Sequence, residues 1–417
     1  FLDGVRIPQL THAFLGPAVV NAALIERLDF YPGGAQPQYG RLLAGVVDAR
    51  LAPARSGFHA EAQLDLLHAG GLVEGVIPQT GTAVTVAGRV GYSRWLFGLM
   101  SQLLSPGTRT LADFWDYQLR VEQPLGSGTL RLLALGSSDT TGEAVDDPLT
   151  RPERRQQLAF HRADLRYRLA LLGGELEAGA TAGVDDISVG GGETVELAGS
   201  GATGIFAQTT SVHQLTGSGR LSWRQALAST LSVAAGATVD RVGATSQVEY
   251  RLLSADPQLF FRPSVTRAPL ATATLFGAWT QLDWRPHERL SVTGGLRADA
   301  YRLESGVERR SADPRLSVSW SESDALTLRA SAGLYHQPPA FLLGLPAVDL
   351  ASLGAGLQEV WQTSAGFTWK PWRDLELSVD AYFNPMVRTV EVSFTDVWGR
   401  GVSLENLAAP MAVTTTT

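Results

Sequence analysis

The chain contains no cysteine and a single lysine, Lys370, against thirty-three arginines. Without cysteine there is no disulfide, no thiolate nucleophile and no sulfur-ligated metal site. The one lysine sits in Trp369-Lys370-Pro371, which excludes a P-loop, a pyridoxal phosphate Schiff base and a Ser-x-x-Lys nucleophile. Charged residues are scarce too, at 18%, where about 25% is usual. A net charge of −7 without a basic stripe argues against nucleic acid as a partner. No run approaches the roughly 18 apolar residues of a membrane-crossing helix.

What is present is glycine, 44 of 417 residues, and alternation. A chain of this length could be two or three ordinary domains or one large all-β barrel, and an apolar composition without long apolar runs favours the barrel. From about Ala60 the sequence settles into period two. In Leu290 to Tyr301, the residues Leu290, Val292, Gly294, Leu296, Ala298 and Ala300 fall on one side, while Ser291, Thr293, Arg297, Asp299 and Tyr301 fall on the other. Leu375 to Asn384 divides in the same way. About fourteen such strands are expected by this alternation rule.

Tight connections, such as Gly126-Ser127-Gly128 and Leu172-Gly173-Gly174, alternate with long links at 96–110, 138–154, 187–208, 243–271 and 337–357. Short turns on one rim and long loops on the other are what an outer-membrane barrel shows. Trp284, Trp320 and Trp369 each end a strand and precede a Leu six positions on, as an interfacial aromatic girdle would. One face of the strands is too polar for a dry core: Arg162, Asp164, Arg166 and Arg168 alternate on one strand, and Asp116, Gln118, Arg120 and Glu122 on another. A wet lumen, or a lumen lined against a polar plug, accommodates them.

The first fifty residues read differently. Asn21 can cap a short helix over Ala22 to Arg27, Leu28 to Tyr31 reads as a brief strand, and Leu42 to Leu51 as a second extended run. The series Leu2-Asp3-Gly4-Val5, Leu24-Ile25-Glu26-Arg27-Leu28-Asp29, Tyr31-Pro32-Gly33-Gly34, Tyr39-Gly40-Arg41 and Gly45-Val46-Val47 resembles the second half of the plug domain of TonB-dependent outer-membrane receptors. It departs at Phe30-Tyr31-Pro32-Gly33, where many members carry Arg-Gly-Pro, and at Ala44-Gly45, where a glycine pair is usual. Asp313-Pro314-Arg315-Leu316, Leu328-Arg329-Ala330-Ser331 and Tyr335-His336-Gln337-Pro338-Pro339 also resemble barrel segments of that family. The resemblance implies residues 1–56 as the C-terminal part of a plug, 57–396 as barrel strands and loops, and 397–417 as a truncated strand with a low-complexity tail. The fold class expected is all-β, an incomplete transmembrane antiparallel barrel with an N-terminal partial α/β plug.

Candidate ligand contacts are Gln9 and His12 in the plug segment, Phe260, Phe261 and Arg262 in an aromatic loop, and Tyr335 and His336 at a strand end. The seven histidines are scattered, so no metal site is expected; no cofactor and no catalytic residue is expected either. Gly199-Ser200-Gly201-Ala202-Thr203-Gly204 matches a dinucleotide fingerprint but lacks a βαβ unit, and reads as an external loop. Asp139, Glu143, Asp146 and Asp147 read as a solvated acidic loop.

The resemblance implies a fragment of an energy-coupled receptor in the cell outer membrane. It would import a scarce small solute without covalent chemistry. Its partners would be outer-membrane lipid and lipopolysaccharide, and a TonB-type transducer reached through a segment missing from this chain. A passive porin-like or structural barrel, and a soluble or surface all-β binding protein, remain open.

Overall fold

The structure, a computed structural model, describes residues 1–12, 16–43, 45–104, 106–147, 152–196, 203–254, 263–339, 350, 352–392 and 413–416. Two strands, β1 (Ile25–Tyr31) and β2 (Val46–Leu51), pair antiparallel in an N-terminal lobe. Ahead of β1 the chain makes one 3-10 turn over Ala22–Leu24 in place of the longer helix expected. The cap is as expected, with the Asn21 carboxamide oxygen accepting from the Ala23 amide at 3.0 Å. The helix stops after one turn because Ile25 onward pairs with β2, and a ladder satisfies more backbone groups than a lone turn could.

Every other strand belongs to the wall. In order these are β3 (His59–Leu64), β4 (His68–Ile77), β5 (Thr82–Gly91), β6 (Thr108–Leu125), β7 (Gly128–Val145) and β8 (Arg154–Leu171). They continue with β9 (Gly174–Glu196), β10 (Thr203–Ala228), β11 (Leu231–Ser254), β12 (Ser264–His287), β13 (Leu290–Leu303) and β14 (Glu308–Ser321). The last are β15 (Leu326–Gln337), β16 (Gln358–Trp372), β17 (Leu375–Phe383), β18 (Met386–Val392) and β19 (Val413–Thr416). Among the described residues these seventeen strands close into one barrel. Three had escaped the alternation pattern. In β4 the inward Leu72 packs under Leu24 of the lobe, so an apolar residue stands where a polar one would mark the lumen. Of the other two, β18 reads Met-Val-Arg-Thr-Val-Glu-Val, with apolar and polar residues on both faces, and β19 has only four residues.

The expected division of faces holds. On β13, Arg297, Asp299 and Tyr301 are buried toward the interior at 3%, 4% and 1% exposure, while Leu296 is 50% exposed on the outer wall. Trp284, Trp320, Trp361 and Trp369 are likewise exposed outside. Trp361 and Trp369 stand eight residues apart on β16; at about 3.3 Å per residue and about 40° of tilt they bracket an apolar band of about 20 Å.

The expected loops are mostly strand. The four strands β9 to β12 run 23, 26, 24 and 24 residues, where about 9–11 would cross a bilayer. Most of links 138–154, 187–208 and 243–271 is therefore ladder carried beyond the apolar band, where alternation is no longer required. Thr203 and Gly204 of the glycine fingerprint open β10, and the rest of that motif lies outside the described residues. Overlapping link 96–110 runs the helix α1 (Arg94–Leu104), an amphipathic helix with Arg94, Ser101 and Gln102 on one side and Trp95, Leu99 and Leu103 on the other, which the strand alternation did not bring out.

Candidate functional site

The lobe sits against the inward faces of the wall, and its irregular stretches have backbone groups that no ladder satisfies. Polar side chains of the wall supply the partners. On β13 and β14, Arg297 and Arg315 carry out this role for residues 35–39. Arg297 Nη1 donates to the carbonyls of Pro37 and Gln38 at 3.3 and 3.2 Å. Its Nε and Nη2 are held by Asp299 at 2.6 and 2.8 Å. Arg315 Nη1 donates to the carbonyls of Ala35, Gln36 and Tyr39 at 2.9, 2.6 and 2.7 Å. Its guanidinium lies 4.1 Å from the centre of the Tyr335 ring, and the Tyr335 hydroxyl donates to the Ala35 carbonyl at 3.1 Å.

Register makes this possible. Arg315 is flanked across both ladders by glycine, Gly295 on β13 and Gly333 on β15. A methyl at Gly295 would lie 2.2 Å from the Pro37 ring, and one at Gly333 within 3.2 Å of Arg315 Cγ. The glycines let the lobe approach and leave space for the guanidinium. On β16, Gln362 donates to the Leu43 carbonyl at 2.7 Å and accepts from the Gly34 amide at 3.3 Å, while Gln337 accepts from the Leu43 amide at 2.8 Å.

On β5 to β7 the partner is a lobe side chain. His12 is buried and stacks on Phe114 with ring centres 4.0 Å apart. Its Nε2 lies 3.1 Å from Asp116 Oδ2, and its Nδ1 lies 3.0 Å from both carboxylate oxygens of Asp139. With a carboxylate at each nitrogen both must donate, which requires the imidazolium. Burial pulls the His12 pKa down, but the hydrogen bonds to Asp116 and Asp139 outweigh it and the value is raised. Gln9 donates to Asp139, Arg89 pairs with Asp116 at 2.9 Å, and Gln118 donates to the Val19 carbonyl at 3.0 Å. Asp139 is thus a buried latch residue and not part of a solvated loop.

Between these arcs, Arg162 donates to the Arg6 carbonyl at 3.1 Å, and Asp3 reaches Arg131. Arg41 of the lobe pairs with Asp299 at 2.9 Å and with Asp240. The long-loop rim carries a separate apolar cluster. There Leu350, Leu353 and Leu357 pack on Ile187, Val212 and Tyr301 of the inner wall.

The expected ligand residues divide into two groups. Gln9 and His12 meet at Asp139, whereas Tyr335 and His336 lie on the other arc, with His336 Nδ1 2.7 Å from Asp313. Phe260, Phe261 and Arg262 lie outside the described residues. The residues the expectation omitted are the inward arginines and glutamines, Arg297, Arg315, Gln118 and Gln362. Their signal was in the sequence, as polar residues in phase on the inner faces of strands.

The sequence family model described as "TonB dependent receptor-like, beta-barrel" matches residues 101–384. Among curated proteins no sequence match was found. The fold is similar to the ferripyoverdine receptor of the Pseudomonas aeruginosa outer membrane, with a TM-score of 0.67 at 12% identity over 99% of this chain and 59% of that one. It is similar to the copper transporter OprC, with a TM-score of 0.62 at 13% identity over 92% of this chain and 63% of that one. The unliganded ferric citrate transporter FecA gives a TM-score of 0.57 at 14% identity over 92% and 60%. The chain thus spans about 60% of the length of the receptors it matches. The family model covers well over half of the chain, and the closed antiparallel wall has the fold of these receptors: the chain belongs to the TonB-dependent receptor family.

Proposed function

We propose that the lobe is the plug of an energy-coupled outer-membrane importer, and that the wall holds it by contacts made to be broken. The observation that carries this is the chemistry of the seam. Arg297 and Arg315 grip residues 35–39 through five carbonyl contacts. A carbonyl leaving an arginine in a wet lumen regains a water, so the net loss per bond is about 1.5–3 kcal/mol and is recovered on return. A TonB-type transducer supplies the pull, outer-membrane lipid and lipopolysaccharide surround the girdled wall, and no covalent chemistry is involved.

The similar structures are named for ferripyoverdine, copper and ferric citrate, so a metal ion or metal chelate is the solute class to test first. In this reading Gln9, His12 and Tyr335 act mainly as plug latches, His336 braces the wall between Asp313 and Glu359, and the aromatic segment Phe260-Phe261-Arg262 makes the first contact with solute. The test is uptake of a radiolabelled metal chelate by cells carrying the full-length receptor, with and without collapse of the proton gradient. Uptake should stop on collapse. Uptake that persisted would point to a passive pore, and recovery of the protein in the aqueous phase on detergent extraction would favour a soluble binding protein.

A further inference from the structure

The arc formed by β7 to β10 holds a cluster that plug docking does not fully explain. Asp3 and Gly4 form a tight turn with φ of 46° and 79°, closed by reciprocal backbone bonds of 2.9 Å between Leu2 and Val5. The left-handed conformation of Asp3, tolerated by Asp and Asn better than by most residues, turns its carboxylate onto the wall. One oxygen meets Arg131 Nη1, the other accepts from the Leu51 amide at 3.3 Å, and the Asp3 carbonyl accepts from Arg166 Nη2 at 2.5 Å.

Behind Asp3 three guanidiniums converge on one carboxylate. Asp164, with a fully buried side chain, is met by Arg166 at 3.2 Å, by Arg131 at 3.8 Å, and by Arg220. Arg166 reaches Glu177 at 3.1 Å. With the lobe docked, four arginines, Arg131, Arg166, Arg168 and Arg220, balance four carboxylates, Asp3, Asp164, Glu175 and Glu177. When the lobe leaves, Asp3 goes with it and one positive charge stays uncompensated. The donors are in surplus already: the Nε of Arg131, Arg166 and Arg220, and Nη2 of Arg131, are buried without a hydrogen-bond acceptor. Guanidinium forks of this kind match the oxygens of carboxylate or phosphate.

We propose that Arg131, Arg166 and Arg220 form an oxyanion site on the solute path, occupied at rest by the plug's own Asp3. The inference rests on the importer reading and adds that the solute presents a carboxylate or phosphate group to the wall once the plug has moved. Asp3 is then an internal competitor. It keeps free anions off the arginines in the closed state and yields them to the solute in the open one.

The experiment is calorimetric titration of pyrophosphate into the detergent-solubilised full chain at constant ionic strength. Asp3→Asn removes the charge but keeps an acceptor for the Leu51 amide and tolerates the same φ. It should bind pyrophosphate about tenfold more tightly than the unaltered protein, the worth of one charge-assisted contact. Adding Arg131→Gln should abolish the gain. If Asp3→Asn disturbs the lobe, Asp3→Gly, which relieves the positive φ, carries the same expectation. Equal affinity in the Asp3 variants and the unaltered protein, or a gain that survives Arg131→Gln, would overturn the site. Binding is measured without an energy source, so its result is independent of the uptake experiment.

Discussion

Two arcs of the wall hold the same lobe by different chemistry. On β13 to β16 the contacts run from fixed guanidiniums and carboxamides to backbone carbonyls and amides. On β5 to β7 the principal contact is an imidazolium between two carboxylates. An arginine stays charged at any pH the cell meets, whereas a histidine does not. The first arc is therefore a constant clamp and the second a titratable one. A lobe anchored by both can loosen along one edge without coming free.

The widest expected difference comes from Arg315→Ala. It takes a charged donor from three carbonyls, of which Ala35 keeps the Tyr335 hydroxyl and Gln36 the Tyr39 amide, and it removes the cation over Tyr335, which should cost about 3–5 kcal/mol of lobe docking at every pH. Hydrogen exchange of the β1 and β2 amides in detergent reads this directly, and unchanged exchange would remove the clamp from the account. Gly295→Ala, whose methyl would meet Pro37, should cost about 1–3 kcal/mol through overpacking. It should leave the β5 to β7 arc unaffected, so exchange in residues 16–20 would stay as it was.

His12→Gln separates the arcs by pH. The docked histidine binds its proton more tightly than the free one, so its contribution is complete below the ordinary value of 6.5 and is lost as pH rises through the raised value. Docking of the unaltered protein should weaken over that interval. The variant should show a flatter profile, crossing the parent at high pH. A pH slope unaltered by the substitution would assign the titration to another group. The smallest effect is expected for Tyr335→Phe, which loses one hydroxyl bond to the Ala35 carbonyl but keeps its ring under Arg315: about 1 kcal/mol, with no pH dependence.

Much of this architecture could be read from the chain, though unevenly. The strand Leu290–Leu303 was legible because its outer face must be apolar and its inner face polar, and the structure keeps both sets as sorted. The upper halves of β9 to β12 were not, since beyond the apolar band neither face has to be greasy. Glycine, threonine and serine in those stretches look like loop. Helix α1 carries a helical period over about three turns between strands of period two, and so reads as a long link. At the seam, the inward arginines could be placed on a face, but nothing local said whether water or a lobe would meet them.

The sequence by itself determined the wall: period two, short turns against long links, and tryptophans at strand ends follow from the solvent on either face of each strand. The separation of polar from apolar is a one-residue property, and a chain must carry it wherever it goes. Tertiary structure alone decided the partners. His12 meets Asp116 and Asp139 from 104 and 127 residues away, and Arg315 reaches Ala35 across 280. Such contacts depend on strand register and barrel closure. Those are set by the sum of all ladders, and no single segment records them.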